Sequence, residues 1–473
     1  MKVAFYTLGC KVNHYETAAM AELFQAAGHQ VVDFSEAADA YIVNTCTVTA
    51  VADQKSRQML SRAHAQSPDA LIVAVGCYSE VAKEKVASLP GVDLVLGTGG
   101  RKDIVPLVEK VLLGEQPTPE AVPPFSRRQF EDLSAVADSR TRATLKVQDG
   151  CVSFCTYCAI PFARGALRSR SLASCRRELM TLVEKGYREI VLTGIELTEY
   201  GKDLSDRPTL NDLIRLSDEC GAERLRLGSL DPRFADEAFA RTCAQSRSLC
   251  HQFHLSLQSG SDTVLGRMNR RYTAAEYLRN ADRLRAYMPD AAITTDVIAG
   301  FPGETEAEHG ETCDFLRQVG FARIHAFPYS RRPGTKAAAM PGQLTRQEKG
   351  ARTRELITIG ATLEKAFIDW QIGTVQQVLM EEDGTGYTGN YVRVRCPGPA
   401  GELVTVRIEG REDTIAIGGI VQCVVCFARS PRGTSLPPRS MRTSWSTPSG
   451  TSRPRGRSTC SSSPGSTSRA PRP

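Results

Sequence analysis

Two series of short apolar runs that alternate with helical patterns dominate this chain of 473 residues. The first series fills roughly the first hundred residues, with apolar runs such as VAFYTL, AYIVN and ALIVAVG separated by helix-like stretches such as HYETAAMAELFQAAG. Strands that alternate with helices form parallel sheets, because each helix returns the chain to the start of the next strand. The sequence therefore predicts an α/β fold.

The second series begins with ATLKVQ and contains six predicted strands, the last of them FARIHAFPYS. Its length predicts a partial or complete β/α barrel, whose active site would lie at the C-terminal ends of the strands. From about Gln371, short alternating runs between Gly-rich turns predict a small antiparallel β-barrel. Such barrels often bind RNA, and a capping subdomain without a ligand is the alternative.

Composition marks the boundaries of these units. A stretch rich in Pro and Glu separates the two series and is predicted to be a linker with little structure of its own. The Ser/Pro/Arg-rich C-terminal tail cannot bury a core and is predicted to be disordered, either as a basic arm for RNA or as an out-of-frame reading of GC-rich coding sequence. The predicted units are an N-terminal parallel sheet at 1–113, the linker at 114–140, the barrel core at 141–370, the small β-barrel at 371–426 and the tail at 427–473.

The net charge of +6 comes from the tail, which carries nine arginines from Arg429 onward and leaves residues 1–428 at −3. Any affinity for RNA must therefore come from local patches. No apolar run approaches the roughly 20 residues that span a bilayer, which predicts a cytoplasmic protein without a membrane partner. In a reducing compartment, the fifteen cysteines indicate metal ligation or core packing rather than disulfides.

Three cysteines, Cys151, Cys155 and Cys158, follow the first strand of the second series within DGCVSFCTYCAIPFARG and are called the loop triplet below. Four thiolates close the coordination of a structural zinc or a simple electron-transfer cluster. A triplet leaves one metal position open, where a substrate can bind. A zinc knuckle without its fourth ligand and three ordinary loop cysteines are the alternatives.

Three further cysteines each follow a predicted strand of the first series: Cys10 in LGCKVN, Cys46 in VNTCTV and Cys77 in VGCYSE. Because the carboxyl ends of parallel strands converge at one edge of a sheet, these residues are predicted to meet and are called the N-terminal trio. Taken singly, each could be a core cysteine at a strand end.

Over residues 1 to about 420, the chain resembles the methylthiotransferase family of radical S-adenosylmethionine enzymes, through the cluster loop and the three N-terminal motifs. The resemblance implies that the loop triplet holds a 4Fe-4S cluster whose fourth iron is chelated by S-adenosylmethionine, which an electron from the cluster cleaves to a 5′-deoxyadenosyl radical. It implies that the N-terminal trio holds a second 4Fe-4S cluster, with one iron open for the sulfur to be transferred. The small barrel would be TRAM-like.

Strand-end segments of the second series also resemble the family's cofactor pocket. Tyr157 stands where the family has an aromatic residue beside the adenine, and simple packing against the cluster loop is its alternative role. Glu196 and Leu197 depart from the polar and small residues expected after TGI. The candidates for binding S-adenosylmethionine or shaping its site are Gly194 in LTGIEL, Gln258 and Ser259 in SLQSGSD, and Asp296 and Glu304 in TDVIAGFPGET.

The text TLGCKVNHYET is most similar to enzymes that methylthiolate C2 of N6-threonylcarbamoyladenosine beside the tRNA anticodon. Enzymes for isopentenyladenosine tend to show Cys-Gln-Met-Asn, and those for a ribosomal-protein aspartate Cys-Pro-Lys-Asn. The implied partners are a tRNA anticodon stem-loop, an electron donor such as flavodoxin or ferredoxin, and a sulfur donor. Arg164, Arg168 and Arg170 are expected to contact phosphates or to form surface salt bridges. A non-catalytic iron-sulfur electron carrier or RNA-binding protein is the alternative of another class.

Overall fold

The N-terminal unit is a five-stranded parallel sheet with strand order β2-β1-β3-β4-β5. The computed structural model describes residues 1–115, 122–135 and 141–421. β3 and β4 are wholly buried, because helices cover both faces of the sheet. The elements of this unit are β1 (Lys2–Thr7), α1 (Lys11–Ala26), β2 (Gln30–Val32), β3 (Ala40–Thr45), α2 (Ala50–Gln66), β4 (Leu71–Gly76), α3 (Cys77–Val81), α4 (Lys83–Ala87), β5 (Leu94–Val95), a 3₁₀ turn (Arg101–Asp103) and α5 (Ile104–Leu112).

The central unit contains all six strands that the second βα series predicts, and it forms a partial barrel. Two parallel sheets, β10-β9-β6 and β11-β12-β13-β14, are joined where β10 runs on into β11. Among the described residues, β14 and β6 do not pair, so the barrel stays open on one side. Its strands are β6 (Arg142–Lys146), β7 (Gln148–Asp149), β8 (Arg168–Ser169), β9 (Glu189–Thr193), β10 (Arg224–Leu227), β11 (Ser229–Leu230), β12 (Gln252–Leu255), β13 (Ala292–Ala299) and β14 (Arg323–Pro328).

Helices cover the outside of the partial barrel. Capping boxes, in which a threonine and a glutamate three residues later bond each other's backbone, begin three of them at Thr273, Thr305 and Thr345. Two short 3₁₀ turns lie in the strand-end loops, at Leu197–Glu199 and Pro232–Phe234. The helices are α6 (Ile160–Arg164), α7 (Leu172–Glu184), α8 (Leu210–Glu219), α9 (Glu237–Gln245), α10 (Asp262–Arg267), α11 (Ala274–Tyr287), α12 (Glu306–Val319), α13 (Lys336–Ala339) and α14 (Arg346–Gln371).

The side chains of the barrel strands alternate between apolar and charged. Ala143 and Leu145 of β6 belong to the large apolar core, whereas Arg142 and Lys146 make ion pairs. In a strand, successive side chains point to opposite faces, so the two sets lie on different sides of the sheet. One face of the barrel wall is therefore lined with charged groups.

The C-terminal unit is a closed five-stranded barrel of order β15-β16-β17-β19-β18. β16 was not predicted, because its sequence TGYT sits between glycines and resembles a turn. The structure follows the predicted last strand to Val421, and the predictions for 422–426 and for the tail lie outside the described residues. The strands are β15 (Val375–Met380), β16 (Thr385–Thr388), β17 (Arg393–Arg395), β18 (Leu403–Glu412) and β19 (Ile415–Ile420).

The predicted linker contacts the N-terminal unit over its described part. It contains one short 3₁₀ turn, Pro124–Ser126, and then buries Leu133 and Ala135 against α1. The hydroxyl of Tyr15 donates a hydrogen bond to the Leu133 carbonyl. The α/β fold with three units is thus confirmed, and no helix within the described ranges is long and apolar enough to cross a bilayer.

Candidate functional site

The structure brings the N-terminal trio to one edge of the first sheet. Cys10 follows β1 and precedes α1, Cys46 follows β3, and Cys77 opens α3 directly after β4. A Cβ atom at Gly9, whose φ is +107°, would lie 2.9 Å from the Cys46 sulfur. The loop can therefore approach Cys46 this closely only with glycine at that position.

Asn13 fixes the spacing of these loops. Its side-chain amide donates hydrogen bonds to the carbonyls of Leu8 at 2.7 Å and of Thr45 at 3.1 Å, which joins the loops after β1 and β3. The Asn13 side-chain oxygen accepts a hydrogen bond from Arg164 at 2.7 Å. Asn13 is the last residue of the Cys-Lys-Val-Asn text, and we did not single it out from the sequence.

The loop triplet lies in the segment after β7, and all three of its cysteines are partly exposed. Gly150 has a φ of +79°, and a Cβ there would lie 1.9 Å from the Ala166 carbonyl oxygen, so a larger residue does not fit. The loop turns tightly, since the Cys158 amide donates a hydrogen bond to the Cys155 carbonyl at 2.9 Å. This hydrogen bond holds Cys155 and Cys158 within a single turn of the loop.

Burial disfavours thiolates at both groups of cysteines. It raises the pKa of Cys77 to about 12, of Cys151 to about 11 and of Cys158 to about 12, and neighbouring cysteines add to each shift. Thiolates so placed need positive charge from another source, which iron supplies when it coordinates them. Two sets of three thiols therefore fit two iron-sulfur clusters.

One arginine donates to a sulfur in each set. The Arg164 Nε lies 3.2 Å from the Cys77 sulfur, and an Arg270 Nη lies 3.5 Å from the Cys155 sulfur. Hydrogen bonds of this kind to sulfur ligands help to set the reduction potential of a cluster. Arg270 was not identified from the sequence, because it comes from the segment between α10 and α11, far along the chain.

The prediction that Arg164, Arg168 and Arg170 contact phosphates is wrong, and so is the alternative of surface salt bridges. All three side chains are buried. Arg164 pairs with Glu16, and both Arg164 and Arg168 pair with Asp149. Arg170 pairs with Asp132 and Glu178. A guanidinium held this way inside the protein cannot reach RNA.

Three of the predicted pocket residues lie in or just after barrel strands: Gly194 follows β9, Gln258 follows β12 and Asp296 lies within β13. Gln258 has a φ of +70°, and its amide donates a hydrogen bond to the Asp296 carbonyl at 2.9 Å. The Asp296 carboxylate is partly exposed and lies 3.5 Å from His254. Gly194 lies against Gln148, whose side-chain oxygen would be 2.9 Å from an added Cβ. Each of these three residues thus places a backbone group or a polar side chain in or just after a barrel strand.

Other predicted residues face internal partners. Tyr157 is half-buried and packs on the apolar cluster around Phe301. Ser259 is buried against Thr312, with 3.2 Å between the hydroxyl oxygens. The Glu304 carboxylate accepts hydrogen bonds from the Gly300 amide at 2.8 Å and from Arg352 at 2.7 Å. Ser259 and Glu304 therefore stabilise the loops of this edge.

Glu196, noted in the sequence only as a departure from the family, is an additional charged group beside the loop triplet. Its amide donates a hydrogen bond to the Gln148 side chain at 2.8 Å, and Thr198 donates to its carboxylate at 2.5 Å. Burial, with a contribution from nearby Asp231, raises the pKa of Glu196 to about 7. The carboxyl thus titrates close to neutral pH.

Comparisons with known proteins match the N-terminal unit and the central unit to known families. Residues 2–97 match the uncharacterized protein family UPF0004, and residues 145–316 match the radical SAM superfamily. The threonylcarbamoyladenosine tRNA methylthiotransferase MtaB of Bacillus subtilis is 40% identical over 420 residues, which cover 86% of this chain and 93% of that protein. The protein of the same name from Aquifex aeolicus is 36% identical, covering 86% of this chain and 100% of the relative.

A third relative carries a different substrate in its name. The tRNA-2-methylthio-N(6)-dimethylallyladenosine synthase of Pelotomaculum thermopropionicum is 32% identical, over 86% of this chain and 95% of its own. Among solved structures, the radical S-adenosylmethionine methyltransferase TsrM of Kitasatospora setae aligns with a TM-score of 0.54 at 17% identity, over 71% of this chain and 77% of TsrM. At that identity, the likeness to TsrM supports the fold alone.

Proposed function

This chain belongs to the methylthiotransferase family of radical S-adenosylmethionine enzymes, and we propose that it adds a methylthio group to C2 of N6-threonylcarbamoyladenosine beside the anticodon of tRNA. The relatives named for this nucleoside are 36–40% identical to the chain, and relatives named for the dimethylallyl nucleoside are 32–33% identical. The observation that carries the proposal is the pair of three-cysteine groups, one at an edge of the N-terminal sheet and one in the loop after β7.

The family uses 4Fe-4S clusters and S-adenosylmethionine. The loop triplet would hold one cluster, which when bound supplies the electron that cleaves S-adenosylmethionine. The N-terminal trio, in the unit at 1–113, would hold the second. C2 of adenine has no acidic proton and no leaving group, so acid-base catalysis cannot activate it and radical chemistry is needed.

The protein's own residues position and insulate these groups. Arg164 and Arg270 donate to the sulfurs of Cys77 and Cys155, and burial of Cys77 limits the access of water to its thiol. Around the cofactor, we assign Tyr157 to adenine contact, and we assign pocket-forming roles to Gly194, Gln258, Ser259, Asp296 and Glu304. In this assignment Ser259 and Glu304 act by holding loops in place.

We assign tRNA recognition to the core at 141–370 and the small barrel at 371–426. The bases of a single-stranded anticodon loop are unstacked and open to contact. The proposed partners are therefore an anticodon stem-loop, an electron donor such as flavodoxin or ferredoxin, and a sulfur donor. The proposed compartment is the cytoplasm, where tRNA is modified.

Mass spectrometry of tRNA nucleosides tests the proposal. A strain that lacks the gene and has no paralogue should lose 2-methylthio-N6-threonylcarbamoyladenosine and retain the unmethylthiolated nucleoside. Loss of the isopentenyl derivative instead would assign the chain to that substrate, and loss of a methylthio group from a ribosomal-protein aspartate would assign it there. Reduced protein that consumes no S-adenosylmethionine would indicate a non-catalytic iron-sulfur protein.

A further inference from the structure

A cavity of about 290 Å³ lies where the N-terminal unit, the open barrel and the small β-barrel meet. Lys11, which directly follows Cys10, lies at its N-terminal side. The cavity therefore borders the loop of the N-terminal trio. Its other polar and aromatic wall residues are His14 and Tyr15 of α1, Arg142, Thr144, Glu189 and Arg226 of the barrel strands, and Tyr391 of the small barrel.

Positive charge exceeds negative charge around this cavity. The buried carboxylate of Glu189 pairs with Arg142 at 2.7 Å and with Arg224 and Arg226 at 3.0 Å. Arg142 also pairs with Glu381. Of the charged residues that line the cavity, three cations, Lys11, Arg142 and Arg226, thus face one carboxylate, that of Glu189. An additional anion in the cavity would find favourable charge without breaking these pairs.

Lys11 differs from the two arginines of the cavity wall in having no ion-pair partner among the described residues. Its side chain is exposed to the cavity, and within the described residues its ammonium group makes no hydrogen bond and no ion pair. The site keeps an ammonium next to guanidinium groups, an arrangement that an anionic ligand stabilises.

Arg226, one of the two arginines in the cavity wall, is held rigidly. The Arg226 guanidinium lies 4.8 Å from the centre of the Tyr391 ring, and it donates hydrogen bonds to the carbonyls of Thr388 and Gly389. Tyr391 stacks on Tyr387, with 4.8 Å between ring centres and 23° between ring planes. The positive charge is therefore fixed in place before a ligand binds, so little side-chain freedom is lost on binding.

We propose that this cavity binds the carboxylate of the threonylcarbamoyl arm, and that Lys11 is the specificity-determining residue that recognises it. The inference rests on the proposed function. The arm leaves adenine at N6, which lies on the same base edge as C2, so an arm in this cavity brings C2 toward the N-terminal trio. An isopentenyl arm carries no charge, so it would gain nothing from the cations of this cavity.

Binding of synthetic anticodon stem-loops tests the proposal. One RNA carries N6-threonylcarbamoyladenosine as the free acid and the other carries its methyl ester, and fluorescence anisotropy gives the Kd of each for the anaerobically reconstituted full chain. Wild-type protein should bind the acid about tenfold or more tightly than the ester, as expected for a charge-assisted hydrogen bond. Lys11→Gln should bind both RNAs equally, whereas Lys11→Arg should keep the preference.

Lys185→Gln is the matched control. Lys185 is an exposed lysine at the end of α7, so its loss removes one charge without touching the cavity. It should keep the acid preference, and iron content should be equal in all variants because Cys10 is the neighbour of Lys11. A Lys11→Gln protein that still prefers the acid overturns the inference, as does a wild type that methylthiolates both RNAs equally. A wild type that methylthiolates neither RNA overturns the proposed function itself.

Discussion

Substitution of Arg164 should destabilise the protein far more than loss of an ordinary surface arginine. Its guanidinium donates hydrogen bonds to Glu16 at 2.5 and 3.0 Å, to Asp149 at 3.3 Å and to Asn13 at 2.7 Å. Glu16 and Asn13 belong to the N-terminal unit, whereas Arg164 follows the loop triplet. The side chain therefore joins the two candidate cluster sites through the protein interior.

The size of the effect follows from what remains after the arginine is removed. Breaking a buried ion pair costs about 3–5 kcal/mol when the remaining charge is left alone. Glu16 keeps Arg101 at 3.0 Å and Lys146 at 2.7 Å, and Asp149 keeps Lys146 at 2.7 Å. We therefore expect Arg164→Gln to lower the free energy of unfolding by about 3 kcal/mol, the lower end of that range.

Anaerobic urea unfolding followed by circular dichroism measures this change, with Arg176→Gln as the control. Arg176 pairs with Glu219 at 2.6 Å, but both side chains are about half exposed, so its loss should cost less than about 1 kcal/mol. A double-mutant cycle with Glu16→Gln should give a coupling energy above about 0.5 kcal/mol. If Arg164→Gln costs no more than the control, the network does not join the units.

Three further outcomes are expected. Replacing Cys10, Cys46 and Cys77 by alanine should lower iron from about eight to about four atoms per chain in anaerobic preparations, with the electron paramagnetic resonance signal of one reduced cluster retained. Arg270→Gln should remove a hydrogen bond that favours the reduced state of the cluster at the loop triplet. Its reduction potential, measured by redox titration, should therefore fall by about 40 mV for each kcal/mol by which the reduced state is less stabilised. The pKa of Glu196 is raised to about 7 from 4.5, so the folded protein binds a proton at this residue more readily than the unfolded chain does. The contribution of Glu196 to stability is therefore full below pH 4.5 and is lost as pH rises to 7. Glu196→Gln should therefore stabilise the cluster-free protein at pH 8 by up to about 3 kcal/mol and leave its stability unchanged near pH 4. Thermal unfolding at both pH values measures this difference, and equal effects at the two pH values would contradict the raised pKa.

The strands that the sequence predicted are those with long apolar runs. β3 and β4 are buried along their whole length, and a continuous apolar run is what a central parallel strand requires. The strands that escaped prediction, β2, β8 and β16, are short and lie in segments with polar or glycine residues. Their pairing depends on neighbours that local sequence does not reveal.

The arginines after the cluster loop show where reading by residue type fails. A run of arginines near a candidate RNA site suggested phosphate contacts, but the partners of Arg164 and Arg170 lie on α1, in the linker and on α7. Nothing in the sequence indicated that Arg270 and Glu196 lie beside the loop triplet, because each reaches it from a distant part of the chain. Neither spacing nor composition records such contacts.

The sequence by itself determined the parallel architecture, the two groups of three cysteines and the family, because each depends on patterns that are local along the chain. The tertiary structure alone decided which charges are buried and which remain unpaired, because ion pairs such as that of Arg164 with Glu16 join residues far apart in sequence. It also decided that Lys11 faces a cavity built by three units. Whether a charged side chain meets water, a partner or a ligand depends on which surfaces the folded chain brings together.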